Sequence, residues 1–438
     1  MSAASGRTGS AATALARRRF LAGAAAGAAA LTAAGCARGD STSAQPGTTS
    51  ISNDNATWDD GYRSAGRELE KITGYALRPL SNPSVTSYQQ VVQMTLQTSK
   101  ATDLVKWASG YQLKRLARAG GLTDLSGVWD TYAAKGWVRG ASRSAVSYRG
   151  KVYGIPLYES YYVLFYSKPV FKRLGLSVPR SWAQLLDCAE VLKRNKITPF
   201  LGSQSGGWPA TEWFQELVTK VDPHFYQKLI AGKASYTDDA ARRAMDIWHD
   251  FIRKGWMTSP DFDQARGPGA LKEGTVGMFL HGTWQAQGIA AAGMKPDVDY
   301  GAFILPTVRD STPKSVIAES GVFTVPSRAS SHEAAMANVG SWLAPPVQRT
   351  WSDFLQDSSA NPKVRSGNPV VAQLQRDVAQ ERRLPLIRYW ESSPPSLIQG
   401  NTDDLGGFMA GQTSPATTLR RMQERAQDEW AAWRRDEA

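Results

Sequence analysis

Residues 149–200 place three structural signals in a fixed order, and this order limits the folds open to the chain. Residues 150–156 combine a glycine turn, a short strand and a closing proline. Residues 163–168 form an apolar run that is short enough to be a buried strand. The hydroxyl of Ser181 then stands where it can cap a helix whose apolar side chains begin at Leu185. The stretch therefore predicts two strands followed by a helix.

This order resembles the extracellular solute-binding proteins of sugar ABC importers, the large family that includes the maltose-binding type. In that family a G-K-x-Y-G-x-P segment crosses from one lobe to the other, a strand ending in Y-N-K follows, and L-G-L-x-x-P-x-x-W opens a helix. The chain carries the first pattern at 150–156 and the third at 174–182, with Ser167 in place of the usual Asn. The alternative is an ordinary β-β-α segment of another α/β protein.

Three further segments resemble the same family. Residues 270–284 are similar to its F-x-x-G-x-x-A-M-x-x-x-G-x-W segment, with Gly277 where Ala is common and Trp284 where the family places a ligand-facing Trp. Residues 300–306 resemble the return crossover, and residues 319–325 resemble the strand that rejoins the first lobe. The family pattern covers nearly the whole mature chain, and it is weakest before residue 100.

The resemblance implies an α/β fold of two lobes, like that of type II periplasmic binding proteins. Each lobe would be a mainly parallel sheet flanked by helices, with hinge strands crossing between the lobes. Strand and helix patterns alternate before residue 120, which is typical of a parallel sheet with covered faces. We expect residues 48–157 and 305–342 to form the first lobe and residues 158–304 and 343–438 to form the second.

Residues 1–36 are predicted to be an export signal. The three arginines at 17–19 fit the twin-arginine pattern, and the stretch 22–34 is too short and too weakly apolar to span a bilayer. Cys36 follows small residues, which resembles a lipobox, although Ala stands where the family usually has Leu. The resemblance implies a lipid on the Cys36 thiol, and plain signal cleavage is the alternative. Residues 37–50, rich in Ser, Thr and Gly, would then tether the protein to the outer face of the cell membrane.

Charge and cysteine content narrow the range of partners. The formal net charge is +12, but the basic residues are scattered without a long run, so nucleic-acid binding is not predicted. If Cys36 carries lipid, Cys188 has no disulfide partner and is expected to be a free core thiol. We expect a monomer.

Aromatic residues suit a sugar site. The chain has 15 Trp and 15 Tyr, and a sugar ring offers flat apolar faces to aromatic walls and a rim of hydroxyls to carboxylates, amides and arginines. Trp182, Trp248 and Trp342 are expected in the core. The candidate ligand-facing rings follow predicted strands or lie where the family often places a stacking aromatic: Trp107, Trp208, Trp284 and Trp390. Core packing is the alternative for each of these four.

Five polar or aromatic residues complete the candidate site. Glu159 and Glu319 lie at expected crossovers, where their carboxylates could accept hydrogen bonds from sugar hydroxyls. The alternative for both is a hinge-side salt bridge or a solvated surface. Tyr158, Tyr161 and Asn53 are the remaining candidates, Asn53 because ligands of parallel sheets sit beyond the carboxyl ends of strands.

Other functional classes remain as alternatives. A secreted glycoside hydrolase needs two carboxyl groups set across the scissile bond, but no acid stands in a recognisable catalytic signature, so neither a catalytic residue nor a cofactor is expected. The four His residues lack the spacing of a zinc site, and no metal site is predicted. Capture of iron(III) by Tyr158, Tyr161 and Tyr162 is an alternative, and so is another solute such as glycerol phosphate.

The sequence therefore predicts an extracytoplasmic binding protein that closes two lobes over a sugar or an oligosaccharide. Contacts from both lobes would shift an equilibrium between open and closed forms. Transfer of the sugar to the transmembrane subunits of an ABC permease is implied by the resemblance alone.

Overall fold

The computed structural model describes residues 47–82 and 84–437. The predicted signal, Cys36 and the tether up to residue 46 lie outside the described residues. Within those two ranges, none of the helices combines the length and the apolar character that a membrane span needs.

Strands and helices alternate along most of the described chain. The strands are β1 (Thr48–Asn53), β2 (Ala76–Ser81), β3 (Leu104–Ala108), β4 (Ser147–Tyr148), β5 (Lys151–Val152), β6 (Ile155–Pro156), β7 (Tyr158–Ser167), β8 (Thr198–Leu201), β9 (Val276–Gly282), β10 (Tyr300–Phe303), β11 (Ser315–Glu319), β12 (Gly321–Thr324), β13 (Ser358–Ser359) and β14 (Leu384–Ile387). The α-helices are α1 (Asp59–Thr73), α2 (Val85–Thr95), α3 (Gly110–Arg118), α4 (Ser126–Ala134), α5 (Lys168–Arg173), α6 (Trp182–Arg194), α7 (Ala210–Val221), α8 (Pro223–Leu229), α9 (Asp239–Arg253), α10 (Gly267–Glu273), α11 (Ala286–Ala291), α12 (His332–Ser341), α13 (Pro345–Leu355), α14 (Pro369–Gln380), α15 (Pro395–Met409) and α16 (Pro415–Glu437).

Local sequence chemistry sets the ends of several helices. The Ser181 hydroxyl accepts a hydrogen bond from the Gln184 amide at 3.3 Å, which confirms the predicted cap of α6. Helix α1 begins with Asp59 and Asp60, whose charges favour the positive end of a helix. It ends at Gly74, whose φ of 83° lies in the left-handed region that glycine enters without a steric penalty.

A five-stranded sheet forms the first lobe, with the strand order β2-β1-β3-β12-β6. β1 runs parallel to β2 and β3, whereas β12 runs antiparallel to β3 and β6. Helices α1, α12 and α13 cover this sheet. Trp351 of α13 stacks on Tyr62 of α1 with a centroid distance of 4.6 Å, and Trp342 is fully buried beside them, as expected.

A second sheet forms the other lobe, with the strand order β14-β11-β7-β9-β8. The long strand β7 runs antiparallel to β9, β10, β11 and β13, whereas β8 is parallel to β9 and β11 is parallel to β14. The two-lobed α/β architecture is confirmed, but its sheets are mixed and not mainly parallel. The reason is that β7 and β12 are hinge strands that enter each sheet from the other lobe.

The lobe boundaries differ from the expected ones at two of three positions. The chain first crosses between β6 and β7, as expected at residues 157 and 158. It returns between Glu319 and Gly321, later than the expected position after residue 304, because β10 and β11 both pair with β7. The last crossing follows α13 and not residue 342, because α13 buries its apolar face against the core of the first lobe.

Two tryptophans and a cysteine that were expected in a core lie in the second lobe. Trp248 on α9 is fully buried there, and Trp182 is half-buried and stacked on Phe251 at 6.1 Å. Cys188 on α6 is a buried free thiol whose sulfur lies 3.6 Å from the Ser177 carbonyl oxygen.

Candidate ligand site between the lobes

A cavity of about 200 Å³ lies between the two lobes at the hinge. The first lobe contributes the end of β1, the start of α2 and the end of β3 to its lining, and the second lobe contributes the loops that follow β8, β9 and β14. The hinge contributes Tyr158 and the β11–β12 crossover. The lining residues are Asp54, Asn55, Trp58, Val85, Tyr88, Gln89, Lys106, Trp107, Ala108, Tyr158, Trp208, Trp284, Glu319, Ser320, Gly321, Arg388, Trp390 and Glu391.

Two half-buried indoles form the centre of the second-lobe wall. Trp208 follows Gly206 and Gly207, whose φ angles of 80° and 81° let the chain turn sharply before α7. Trp284 follows β9, and its ring folds back over Gly282, where a Cβ would overlap the indole nitrogen. The centroids of the two indoles are 6.3 Å apart, with 52° between their planes. Aromatic pairs favour such tilted contacts, which leave ring faces and edges open to a ligand.

His281 supports both indoles from behind. Its ring stacks on Trp208 with a centroid distance of 5.6 Å and meets Trp284 edge-on at 4.3 Å. The Nδ1 atom of this histidine lies 2.6 Å from Oε1 of Glu212, and the other oxygen of Glu212 accepts a hydrogen bond of 2.7 Å from Gln264. All three supporting side chains are buried.

An arginine whose side chain is 12 % exposed links two carboxylates in the same wall. The guanidinium of Arg388 forms an ion pair with Glu319, lies 3.4 Å from Glu391 and is centred 5.0 Å from the ring of Trp208. Glu319 also accepts hydrogen bonds from the hydroxyls of Tyr158 at 3.3 Å and Tyr162 at 3.2 Å. The carboxylate of Glu319 is therefore tied to β7, the hinge strand.

Burial and neighbouring charges shift the pKa values of Glu391 and Arg388. Burial, with the nearby negative charge of Glu319, raises the pKa of Glu391 to about 8, although Arg388 opposes the shift. Burial acts to lower the pKa of Arg388, but the two carboxylates hold it well above its usual value. The raised pKa means that Glu391 keeps its proton to higher pH than an exposed glutamate does.

The first-lobe wall is a second charge pair set against aromatic rings. Lys106 forms an ion pair with Asp54 at 2.6 Å, and its ammonium lies 5.4 Å from the ring centroid of Trp58. Trp58 in turn meets Tyr158 edge-on at 5.6 Å. Trp107 is 4 % exposed, and its indole nitrogen donates a hydrogen bond to the Gln112 carbonyl at 3.1 Å. Little of this ring is therefore open to the cavity.

The structure brings six of the nine sequence candidates to this cavity: Trp107, Tyr158, Trp208, Trp284, Glu319 and Trp390. Asn53 is not among them. It is fully buried, where its amide nitrogen donates to Ser81 at 2.8 Å and its carbonyl oxygen accepts from the Asn55 amide at 2.9 Å. These bonds fix the turn after β1, which aims its neighbour Asp54 into the cavity.

Glu159 and Tyr161 line a different cavity, of about 420 Å³, which we call the rear cavity. Successive side chains of a strand point to opposite faces, so these two residues of β7 face away from the hydroxyls of Tyr158 and Tyr162. Glu159 instead pairs with Arg139 at 3.4 Å, and burial raises the pKa of its carboxyl group although Arg139 opposes the shift. The hinge-side salt bridge, one of the two alternatives for Glu159, is therefore present.

A model of the bacterial extracellular solute-binding protein family matches residues 53–349 of this sequence. The chain belongs to this family.

Two relatives of this solute-binding protein match over part of their length. An uncharacterised ABC transporter extracellular-binding protein of Pyrococcus horikoshii is 27 % identical over 237 residues, which cover 52 % of each chain. The alpha-glucosides-binding periplasmic protein AglE of Rhizobium meliloti is 26 % identical over 209 residues, which cover 44 % of each chain. The chain thus spans about half the length of these relatives.

The fold of this solute-binding protein is also found in solved structures. The bacterial solute receptor AcbH, described as having an exclusive preference for β-D-galactopyranose, superposes with a TM-score of 0.78. The match covers 89 % of this chain and 99 % of that receptor at 18 % identity. At that identity the likeness concerns the fold.

Five charged or indole-bearing residues of the lining were not among the nine site candidates: Asp54, Trp58, Lys106, Arg388 and Glu391. Asp54 and Trp58 lie in residues 53–58, which the rule that ligands gather beyond strand ends places near the mouth of the cleft. Lys106 precedes Trp107, and Arg388 and Glu391 flank Trp390, so each of these three lies close to a residue that was a candidate.

Among the described residues, no group of three or more His, Cys, Asp or Glu side chains is placed so that it could hold a metal ion.

Proposed function

We propose that this solute-binding protein is the extracytoplasmic receptor of an ABC importer and that it binds a sugar or an oligosaccharide in the cavity between its lobes. The observation that carries the proposal is the lining itself. Indole rings contributed by both lobes meet two ion pairs across about 200 Å³ of space. Relatives named for alpha-glucosides and for β-D-galactopyranose support a sugar.

The indoles and the ion pairs suit different parts of a sugar. Trp208 and Trp284 offer flat surfaces to the C–H faces of a ring. Asp54, Lys106 and Arg388 offer charged acceptors and donors to the rim of hydroxyls. Within each ion pair the two side chains already hold each other in place before a ligand arrives. Binding therefore loses less side-chain entropy.

The balance of charge favours a neutral ligand over glycerol phosphate or iron(III). Lys106 is paired with Asp54, and Arg388 is paired with Glu319 and also faces Glu391. A phosphate would find no surplus positive charge here. An iron(III) site would need grouped phenolates, but Tyr161 lines the rear cavity and burial keeps the pKa of Tyr158 well above its usual value.

The size of the cavity favours a short ligand. Its volume of about 200 Å³ lies below the roughly 300–1,000 Å³ that sites for drug-sized molecules occupy. A cavity of about 200 Å³ suits one or two sugar rings better than a long oligosaccharide.

Binding without catalysis is the simplest use of these carboxylates. A glycosidase sets its two carboxyl groups on opposite sides of the scissile bond. Here Glu319 and Glu391 both contact the guanidinium of Arg388 on one wall, and Asp54 on the opposite wall is ion-paired with Lys106, so each of these carboxylates already faces a cation.

Export and anchoring complete the proposal. The mature protein would leave the cytoplasm through the twin-arginine route and stay at the outer face of the membrane through a lipid on Cys36. Its closed form, as a monomer, would deliver the sugar to the permease. Intact mass analysis of protein purified from the native membrane tests the anchor, since a diacylglycerol on Cys36 is expected and an unmodified mature N-terminus would contradict it.

Tryptophan fluorescence titrated with a panel of mono- and disaccharides tests the binding proposal. A saturable change with no product in the solution is expected, because the indoles of the cavity would exchange water for sugar. Steady release of reducing ends would favour the hydrolase instead. No response to any sugar, together with no thermal shift, would contradict the proposal.

A further inference from the structure

The two central indoles of the cavity are carried by different loops, and one buried contact joins these loops. Trp208 precedes α7, and Glu212 lies in the first turn of that helix. His281 lies near the end of β9, and Trp284 follows that strand by one turn. The contact of 2.6 Å between His281 and Glu212 therefore ties the two indole-bearing segments together directly behind the cavity.

The imidazole ring itself contacts both indoles. Its plane is within 12° of that of Trp208, and it meets Trp284 at 63°. On a third side, Phe279 stacks on His281 with a centroid distance of 4.9 Å. The ring therefore has little freedom to rotate, and neither indole can tilt far toward β9 without displacing it.

The acid behind the imidazole is held as well. The second oxygen of Glu212 accepts the amide of Gln264, so both oxygens of this carboxylate have partners. Chains of buried hydrogen bonds whose members are all satisfied hold a side chain in one orientation. Binding sites depend on such support, because rotamers that are fixed in advance lower the entropy lost when a ligand binds.

We infer that His281 is a positioning residue, which together with Glu212 sets the angle between Trp208 and Trp284 and so determines how well a sugar ring fits between them. The inference rests on the proposed function, because it assigns the affinity for sugar partly to a residue that is 2 % exposed and does not line the cavity. The ring supplies the stacking surface, and the bond to Glu212 fixes the ring.

Three substitutions separate the ring from its hydrogen bond. His281→Leu removes both, His281→Phe keeps a flat ring against the indoles but loses the bond, and Glu212→Gln keeps a hydrogen-bonding partner without the charge. Isothermal titration with a sugar that the wild type binds should show about tenfold weaker binding for His281→Leu. Glu212→Gln, which keeps the ring and a hydrogen-bonding partner, should bind within about threefold of the wild type. His281→Phe, which keeps the ring but loses the bond, should fall between Glu212→Gln and His281→Leu.

A matched control separates positioning from stability. Trp248 is equally buried in the second-lobe core, and its aromatic contact is with Phe408 and not with an indole of the cavity. Trp248→Phe should lower the Tm yet leave sugar affinity within about twofold of the wild type. If His281→Leu binds sugar as well as this control does, or if His281→Phe binds as weakly as His281→Leu, the positioning role is refuted.

A measurement without ligand keeps this inference distinct from the proposed function. Acrylamide quenching of the ligand-free protein should reach a larger share of the fluorescence in His281→Leu, because the indoles lose their backing. The increase should vanish when Trp208→Phe and Trp284→Phe are added to the same chain. An unchanged quenching curve would contradict the inference, whereas failure of every sugar to bind the wild type would contradict the proposed function alone.

Discussion

The cavity between the lobes and the rear cavity share Tyr158, Glu319 and Ser320, yet their linings differ in kind. The first is walled by indoles, and its ion pairs cancel. The second, although larger, is lined mainly by aliphatic side chains such as Val146, Val378 and Ile387, with arginines at its margin. Both cavities have walls from both lobes and both contain an ion pair, so neither position at a hinge nor charge pairing separates them. The difference lies in the indole rings, which line the first cavity and not the second.

The largest effect is expected from a wedge between the lobes. Gly110 begins α3 in the first lobe with a φ of 63°, and a Cβ there would overlap the carbonyl oxygen of Glu391 in the second lobe. Gly110→Ala should push the walls of the cavity between the lobes apart and weaken the proposed sugar binding by 10-fold or more, since overpacking costs about 1–3 kcal/mol. Titration calorimetry measures this loss.

Gly175→Ala is the matched control for the wedge. Gly175 has a φ of 65°, so alanine strains the backbone to the same degree, but open space surrounds the position. Both variants should lose similar Tm, and only the wedge should lose affinity. Equal affinities would mean that the lobes do not close through this contact.

Removal of one indole should have the next largest effect. Trp284→Ala is expected to weaken sugar binding at least tenfold and to leave the Tm nearly unchanged, because the ring is half-buried and lies at the cavity wall. Trp182→Ala is the control, since that half-buried indole packs on Phe251 away from both cavities. Unchanged affinity in Trp284→Ala would assign this ring to core packing.

The pH dependence of stability should test the raised pKa of Glu391 in the cavity between the lobes. The pKa of Glu391 is raised to about 8 in the folded protein from a usual 4.5, so the unfolded chain releases this proton at lower pH than the folded chain does. The wild type should therefore lose unfolding free energy as pH rises from about 4.5 to about 8. Glu391→Gln removes this loss and should gain in Tm relative to the wild type between pH 5 and pH 9. Parallel Tm curves over that window would contradict the raised pKa.

The smallest effect is expected at the rear cavity. Glu159→Gln removes the charge that pairs with Arg139 but does not alter the lining of the cavity between the lobes. Sugar affinity should stay within about twofold of the wild type in calorimetry. A tenfold loss would mean that the two cavities act as one site across β7.

The sequence predicted much of the fold because its signals are local. The cap at Ser181, the glycine end of α1 and the strand from Thr48 to Asn53 each depend on neighbouring residues, and the structure has them where the sequence places them. The resemblance of residues 270–284 to a segment of the family implies that Trp284 follows a strand, and the structure has it directly after β9. Such features need no knowledge of which segments meet in space.

Tertiary structure alone decided how the strands pair and which side chains share a cavity. Residues 300–306 look like a crossover, but pairing with β7 keeps them in the second lobe. Glu159 and Glu319 look equivalent in the sequence, yet the alternation of β7 and the bond to Arg388 separate them. Arg388 acquires its role from Glu319, and His281 acquires its role from Glu212. In each case the partner is 69 residues away in the chain. Local patterns report backbone preference, whereas a site is made by long-range packing, and no single stretch of sequence contains that information.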